Sequence, residues 1–240
     1  MRKLAIMCVA MILVAQFVFS ASAFSVTTKS FIDNNLSVTY SFAGFNESLY
    51  NQIKNNAQFN ESTIPEIIVG NMAKRDLKHV TWGLGPQPIS YNDANGTVDV
   101  SFFLGGSDIV GYSMNRTSIN RTYKVTTDWQ KFQVNLTSNV SVNFALTIDK
   151  TVSEWQKINY TDTFQNVHPA FYYRNNQTST MDLSFYLVLP SAAFDVRVEG
   201  GTVTFQTPVQ LGDQLLSSPL LVLATLIIVM VIALLYRKAR

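Results

Sequence analysis

Residues 132–148 read F-Q-V-N-L-T-S-N-V-S-V-N-F-A-L-T-I. Apart from Ser138, the even positions are apolar: Phe132, Val134, Leu136, Val140, Val142, Phe144, Leu146 and Ile148. The odd positions are polar except for Ala145. Successive side chains of a strand point to opposite faces, so a period of two marks strands with one buried and one wet face. The pattern predicts strands over 131–137 and 140–148, with Asn135 and Asn139 on the wet face. Both asparagines begin Asn-x-Ser/Thr triplets, the acceptor pattern for N-glycosylation.

The same rhythm recurs along the chain. Strands are expected at 25–32, 35–42, 79–83, 97–104, 121–127, 155–160, 181–189, 194–199 and 202–207. Asp33-Asn34-Asn35 and Glu199-Gly200-Gly201 supply hairpin turns, and Asn95-Gly96 is a tight-turn signal. Many short strands with Gly, Asn and Pro punctuation predict a mainly β fold, an antiparallel sandwich-like domain. One region departs from it. Leu49, Ile53 and Ala57 stand four apart, and Thr63-Ile64-Pro65-Glu66 resembles a capped helix start. A short two-helix insertion is therefore expected near residues 46–76.

The triplets number ten, at Asn35, Asn46, Asn60, Asn95, Asn115, Asn120, Asn135, Asn139, Asn159 and Asn176, out of 19 asparagines. Chance at this Ser and Thr content gives roughly three. In the segment of Asn159, Ile158 and Tyr160 form the apolar set, so Asn159 is expected to point outward. Ile119, Tyr123 and Val125 suggest an inward odd face, which leaves Asn120 outward with Thr122 and Lys124. Asn115 has the opposite parity and belongs in the preceding loop.

The ends of the chain fit the same reading. Met1-Arg2-Lys3, an apolar run from Leu4 to Phe19 and the small-x-small site Ala21-Ser22-Ala23 have the form of a secretory signal peptide over 1–23. Leu220 to Tyr236 is an unbroken apolar run, which Leu215 and Leu216 extend. About 22 residues suffice to cross a hydrocarbon core of about 30 Å as a helix. Arg237, Lys238 and Arg240 follow, and basic residues beside a span favour the cytoplasmic side. The expected organisation is a signal peptide at 1–23, a glycosylated extracellular domain at 24–212, a transmembrane helix at 213–236 and a cytoplasmic tail at 237–240. That places the protein in the plasma membrane, single-pass, with its N-terminal domain outside.

Of 18 Lys and Arg residues, five flank the two membrane segments, leaving 13 against 16 Asp and Glu. The intervening domain is slightly acidic. It lacks the concentrated positive charge that nucleic-acid binding needs, so Arg116, Arg121 and Lys124 make no basic patch. The one cysteine, Cys8, lies in the signal segment, so the domain must fold on its core without disulfides. Dense triplets with no cysteine suit an archaeal cell surface better than an animal one.

Chemistry is hard to find. His79 and His168 lack partners at metal-ligand spacing. No Gly-x-Ser-x-Gly elbow exists, and Gly105-Gly106-Ser107-Asp108 reads as a loop between strands. No catalytic residue, metal or cofactor is expected, and the chain is not read as an enzyme. Trp82, Trp129, Trp155 and Phe171-Tyr172-Tyr173-Arg174 read first as core, with Tyr172 and Tyr173 the possible binding patch, in a loop-like context. The expected partners are the membrane and other cell-surface proteins or glycans, with the ectodomain binding or scaffolding them. An accessory subunit of a membrane complex is the alternative, and a surface hydrolase a third. A docked subunit should leave one strand face apolar and free of triplets; Met181 to Leu189, with Tyr186 and Val188 on its polar side, is where that face is expected.

Overall fold

A computed structural model describes residues 24–61, 63, 66–68, 70, 77–114, 120–130, 132–144, 148–178, 181–209, 223, 226–230, 232 and 236–237. The fold is mainly β, with several largely antiparallel sheets and few helices. The thirteen described strands are β1 Phe24–Ile32, β2 Leu36–Ala43, β3 Thr81–Asn92, β4 Thr97–Gly105, β5 Val110–Met114, β6 Asn120–Thr126, β7 Gln133–Asn135, β8 Ser141–Asn143, β9 Gln156–Thr161, β10 Val167–Thr178, β11 Met181–Val188, β12 Phe194–Glu199 and β13 Thr202–Pro208.

Seven of them form one sheet in the order β3-β4-β2-β1-β11-β10-β9. Its pairs are antiparallel except β1 with β11, which run parallel from Phe24↔Met181 to Phe31↔Val188. That junction joins the two ends of the domain. A second sheet has the order β12-β13-β6-β5, and β7 pairs with β8 as a two-stranded ribbon. The turns use what the sequence offers: Gly96 and Gly200 adopt positive φ, +58° and +54°, as tight turns between strands require. Gly106 at φ +97° is tighter still, since a Cβ there would lie 2.0 Å from the His79 carbonyl oxygen.

Alternation decides the interior. β1, β2 and β11 bury every second residue, and Val26, Val38, Tyr40, Phe102, Leu183 and Phe185 share one hydrophobic cluster. The β7–β8 ribbon lies on this inner face, with the rings of Phe132 and Phe144 at 5.7 Å and 5.1 Å from Tyr40. Its parity is as the sequence predicts: Phe132, Val134, Leu136, Val142 and Phe144 are buried, Asn135 and Asn139 exposed. Its strands are shorter than predicted, three residues each, because the chain bends from Leu136 to Asn139 and leaves the ladder after Asn143. The inner face also holds the hydroxyls of Thr28, Ser30 and Tyr40, buried with no hydrogen bond among the described residues.

Helix α1, Glu47–Lys54, covers one end of the core with Tyr50 and Ile53. Asn46 caps it, its side-chain oxygen accepting from the Leu49 N–H at 2.8 Å. In the second expected helix, residues 63, 66–68 and 70 are helical and Ile68 is buried. Three expectations need correction. Residues 167–178 are a twelve-residue strand and not a loop, β3 runs on to Asn92, and β5 was not foreseen. Among the described residues no helix is long and apolar enough to cross a membrane, which says nothing of a β-barrel. The signal segment 1–23 lies outside the described residues, as does most of 213–236. Residues 223, 226–230, 232 and 236–237 are helical, and Leu223, Ile227, Val229 and Ile232 are exposed.

Candidate functional site

A continuous cluster of apolar and aromatic side chains lies on the outer face of β1, β11, β10 and β9. Strand parity sends Phe31 outward from β1, Tyr186 and Val188 from β11, Ala170 and Tyr172 from β10, and Ile158 and Tyr160 from β9. The registers set them side by side: Phe31 opposite Val188, Val188 opposite Ala170, Ala170 opposite Ile158, and Tyr186 opposite Tyr172. Four rings then join into a chain. Phe31 meets Tyr160 edge-on at 5.5 Å, Tyr160 lies 6.1 Å from Tyr186, and Tyr186 lies 4.8 Å from Tyr172. These spacings suit attractive aromatic pairs.

Val188 and Ala170 are 1% and 3% exposed, yet neither belongs to the main cluster. They are buried beneath the four rings as a small second core. The rings themselves are half-buried. Burial and the neighbouring Tyr172 and Tyr160 hydroxyls push the Tyr186 hydroxyl above its ordinary range, keeping it neutral. At one edge Arg174 holds Asp182 through two bonds, Nε to Oδ1 at 3.0 Å and Nη2 to Oδ2 at 2.6 Å. That hydrogen bond, then the charge of Asp182, raises the Arg174 guanidinium further.

At the opposite edge lies the β9–β10 turn. Asp162 accepts from the N–H groups of Phe164 and Asn166, both at 2.8 Å, and from Asn166 Nδ2 at 3.0 Å. These bonds, the Asn166 side chain foremost, lower its carboxyl to about 2. His168 lies between Asp162 Oδ2 at 3.2 Å and the Leu189 carbonyl at 3.0 Å, tying the turn to the end of β11. Phe164 at the tip is 84% exposed. His168 is thus a structural residue of this turn. His79 is exposed in the loop before β3, where Asp108 accepts the N–H groups of Lys78 and His79, each at 2.8 Å. Among the described residues no group of three His, Cys, Asp or Glu is placed to hold a metal.

The Tyr172–Tyr173 pair divides between the faces. Tyr173 is buried, stacked on Trp155 at 5.7 Å, and its hydroxyl donates to Asp149. Burial and that carboxylate raise the Tyr173 hydroxyl well above its ordinary range. It is a core residue because β10 is a strand, and adjacent strand residues cannot share a surface. Tyr172 keeps its place on the outer face. Trp129 and Phe171 are core as well, while Trp82 is 44% exposed.

The triplet asparagines whose side chains are described lie off the outer face. Asn35 and Asn95 lie at turns, Asn46 precedes α1, Asn135 and Asn139 face solvent on the ribbon, and all five are exposed. Asn159 is exposed on β9 with parity opposite to Ile158 and Tyr160. Asn60 and Asn120 are half-buried, their amides donating to the Ala57 carbonyl at 2.7 Å and to Gln206 at 3.4 Å. An N-linked sugar would leave one N–H on each for that bond. Asn176 belongs to β10 by its backbone, and Asn115 lies outside the described residues.

No protein-family model matches the chain, and no curated protein or solved structure matches it either.

Proposed function

We propose that this chain is an exported, N-glycosylated surface protein, held by one C-terminal membrane helix, whose ectodomain docks another surface protein through the tyrosine-rich outer face. One observation carries the docking reading. The face bearing Phe31, Tyr160, Tyr172 and Tyr186 holds none of the triplet asparagines whose side chains are described, whereas exposed triplets occupy turns, the helix start and the ribbon. Bulky sugars exclude protein partners, so a surface clear of them and rich in Tyr has the composition of an interface core. Export rests on the signal-like N-terminus and the tenfold triplets. Anchoring rests on the apolar run from Leu220 to Tyr236, where the described helical residues expose Leu223, Ile227, Val229 and Ile232. An uninterrupted apolar run of this length suits a lipid surrounding.

The accessory-subunit reading follows from the same face, with the partner a fixed component of a membrane complex. A photo-crosslinking residue at Tyr186, compared with one at Ser101 on the polar half of the same face, tests docking on intact cells. One discrete crosslinked band specific to position 186 is expected. Thr39→Asn completes a triplet with Ser41 on this face; a sugar there should abolish the band without unfolding the domain. Equal crosslinking from both positions, or a band unaffected by the added sugar, would sink the docking reading.

A further inference from the structure

Helix α1 and the turn between β7 and β8 enclose an open groove of about 570 Å³. One wall is the helix stripe Ser48, Asn51, Gln52 and Asn55, at the i, i+3, i+4, i+7 spacing of a single helix face. Across it lie Asn56, Thr137 and Ser138. The walls are fastened together: Asn56 Nδ2 donates to the Leu136 carbonyl at 2.8 Å. The Thr137 hydroxyl is engaged, accepting from the N–H groups of Asn139 at 3.3 Å and Val140 at 3.1 Å. The side-chain amides of Asn51 and Asn55 and the Ser138 hydroxyl make no hydrogen bond among the described residues.

Every lining side chain is polar and none is charged. Exposed helix faces normally carry charged residues, and here Glu47 and Lys54 stand off the stripe, Lys54 bonded to Asp93 at 2.7 Å. A charged ligand would find no counter-charge in the groove, and an apolar one no apolar wall. An amide presents a donor and an acceptor side by side, as neighbouring sugar hydroxyls do. The groove's size falls within the roughly 300–1,000 Å³ of small-ligand sites. It is open and lacks an aromatic platform, so a free sugar would bind weakly. A tethered one need not bind strongly, because a short link raises its effective concentration to about millimolar or above. Asn139 is exposed and directly follows Ser138.

We propose that this groove seats the first sugars of a glycan on Asn139, which thereby braces helix α1 against the ribbon. The proposal rests on the export and glycosylation reading above. The test uses full-length protein purified from its native membranes. Glycopeptide mapping comes first, then hydrogen exchange of the wild type, Asn139→Gln, Asn135→Gln and the pair Asn51→Ala/Asn55→Ala. A glycan on Asn139 is expected, with its loss speeding exchange over residues 51–56 about threefold to tenfold. Asn135→Gln should leave that exchange unchanged. In the Asn51→Ala/Asn55→Ala background the glycan should persist, but Asn139→Gln should no longer alter exchange, as a double-mutant cycle requires. A glycan on Asn139 whose removal changes nothing at 51–56 overturns the seat and leaves the glycoprotein reading standing. A bare Asn139 beside modified triplets does the same. Ten bare triplets overturn both.

Discussion

Across β4, β2 and β1 the outer face of the seven-stranded sheet carries Asp99, Ser101, Ser37, Thr39, Ser41, Thr27 and Lys29, with Phe103 an exposed exception and Phe31 joining the neighbouring ring cluster. Across β11, β10 and β9 the same face carries Tyr186, Val188, Tyr172, Ala170, Ile158 and Tyr160. Beneath both halves the inner face is alike: Val38, Val100 and Phe102 on one side, Leu183, Phe185 and Leu187 on the other, each at most 4% exposed. Alternation therefore builds both halves in one way. What differs is the face the core does not need, and a residue the fold does not require is free to serve a partner.

The comparison breaks first at the core if it is wrong. Phe102→Ala and Phe185→Ala should each cost about 3–5 kcal/mol in urea unfolding, the usual loss for a buried aromatic. A difference between them of more than about 2 kcal/mol would mean the halves are not equivalent inside. On the outer face the halves should diverge. Tyr186→Ala removes the cover of Val188 and the 4.8 Å pair with Tyr172, and is expected to cost about 1–2 kcal/mol. Thr39→Ala should stay within about 0.5 kcal/mol in the same measurement.

Within the β4-β2-β1 half, Tyr40→Phe should raise stability by about 1 kcal/mol, because it deletes a buried hydroxyl that has no hydrogen-bond partner among the described residues. Smaller in size is a pH effect at the edge of the tyrosine half, separate from those of Asp93 and Asp108, whose carboxyls are lowered by their own hydrogen bonds elsewhere. Asp162 has its carboxyl lowered from its ordinary 3.8 to about 2, so it supplies stability above pH 4 that is lost as pH falls towards 2. Asp162→Asn should flatten the acid limb of a stability-versus-pH curve over that window. Arg174→Gln should be the smallest, with no measurable change in unfolding, since exposed ion pairs contribute little. Its effect, if docking is right, belongs to crosslinking at Tyr186.

Much of this was legible in the residues. Strands β1, β2, β4, β6, β11, β12 and β13 fall where alternation puts them, to within a residue or so at each end, and the Asn35, Asn95 and Asn139 sites emerge exposed. The run from Val167 to Thr178 did not announce itself. Pro169 stands second after its start, and Phe171, Tyr172 and Tyr173 present three aromatics in succession, which hides the period of two. β10 can be apolar on both faces because the main core lies under one and the four-ring cluster lies on the other. β5 was missed for a related reason, since Val110 alone among its residues is buried.

The sequence by itself determined the β class, the parity of most strands and the places where a polar side chain had to face water. These follow from local geometry, which needs only neighbouring residues. The tertiary structure alone decided that β1 runs parallel to β11, and with it the cluster of Phe31, Tyr160, Tyr172 and Tyr186. Those residues come from four strands, β1 and the distant β9, β10 and β11, and no local pattern encodes a register between strands some 150 residues apart. The same holds for the polar groove, whose two walls, α1 and the ribbon, meet only because both bury their apolar sides in one core.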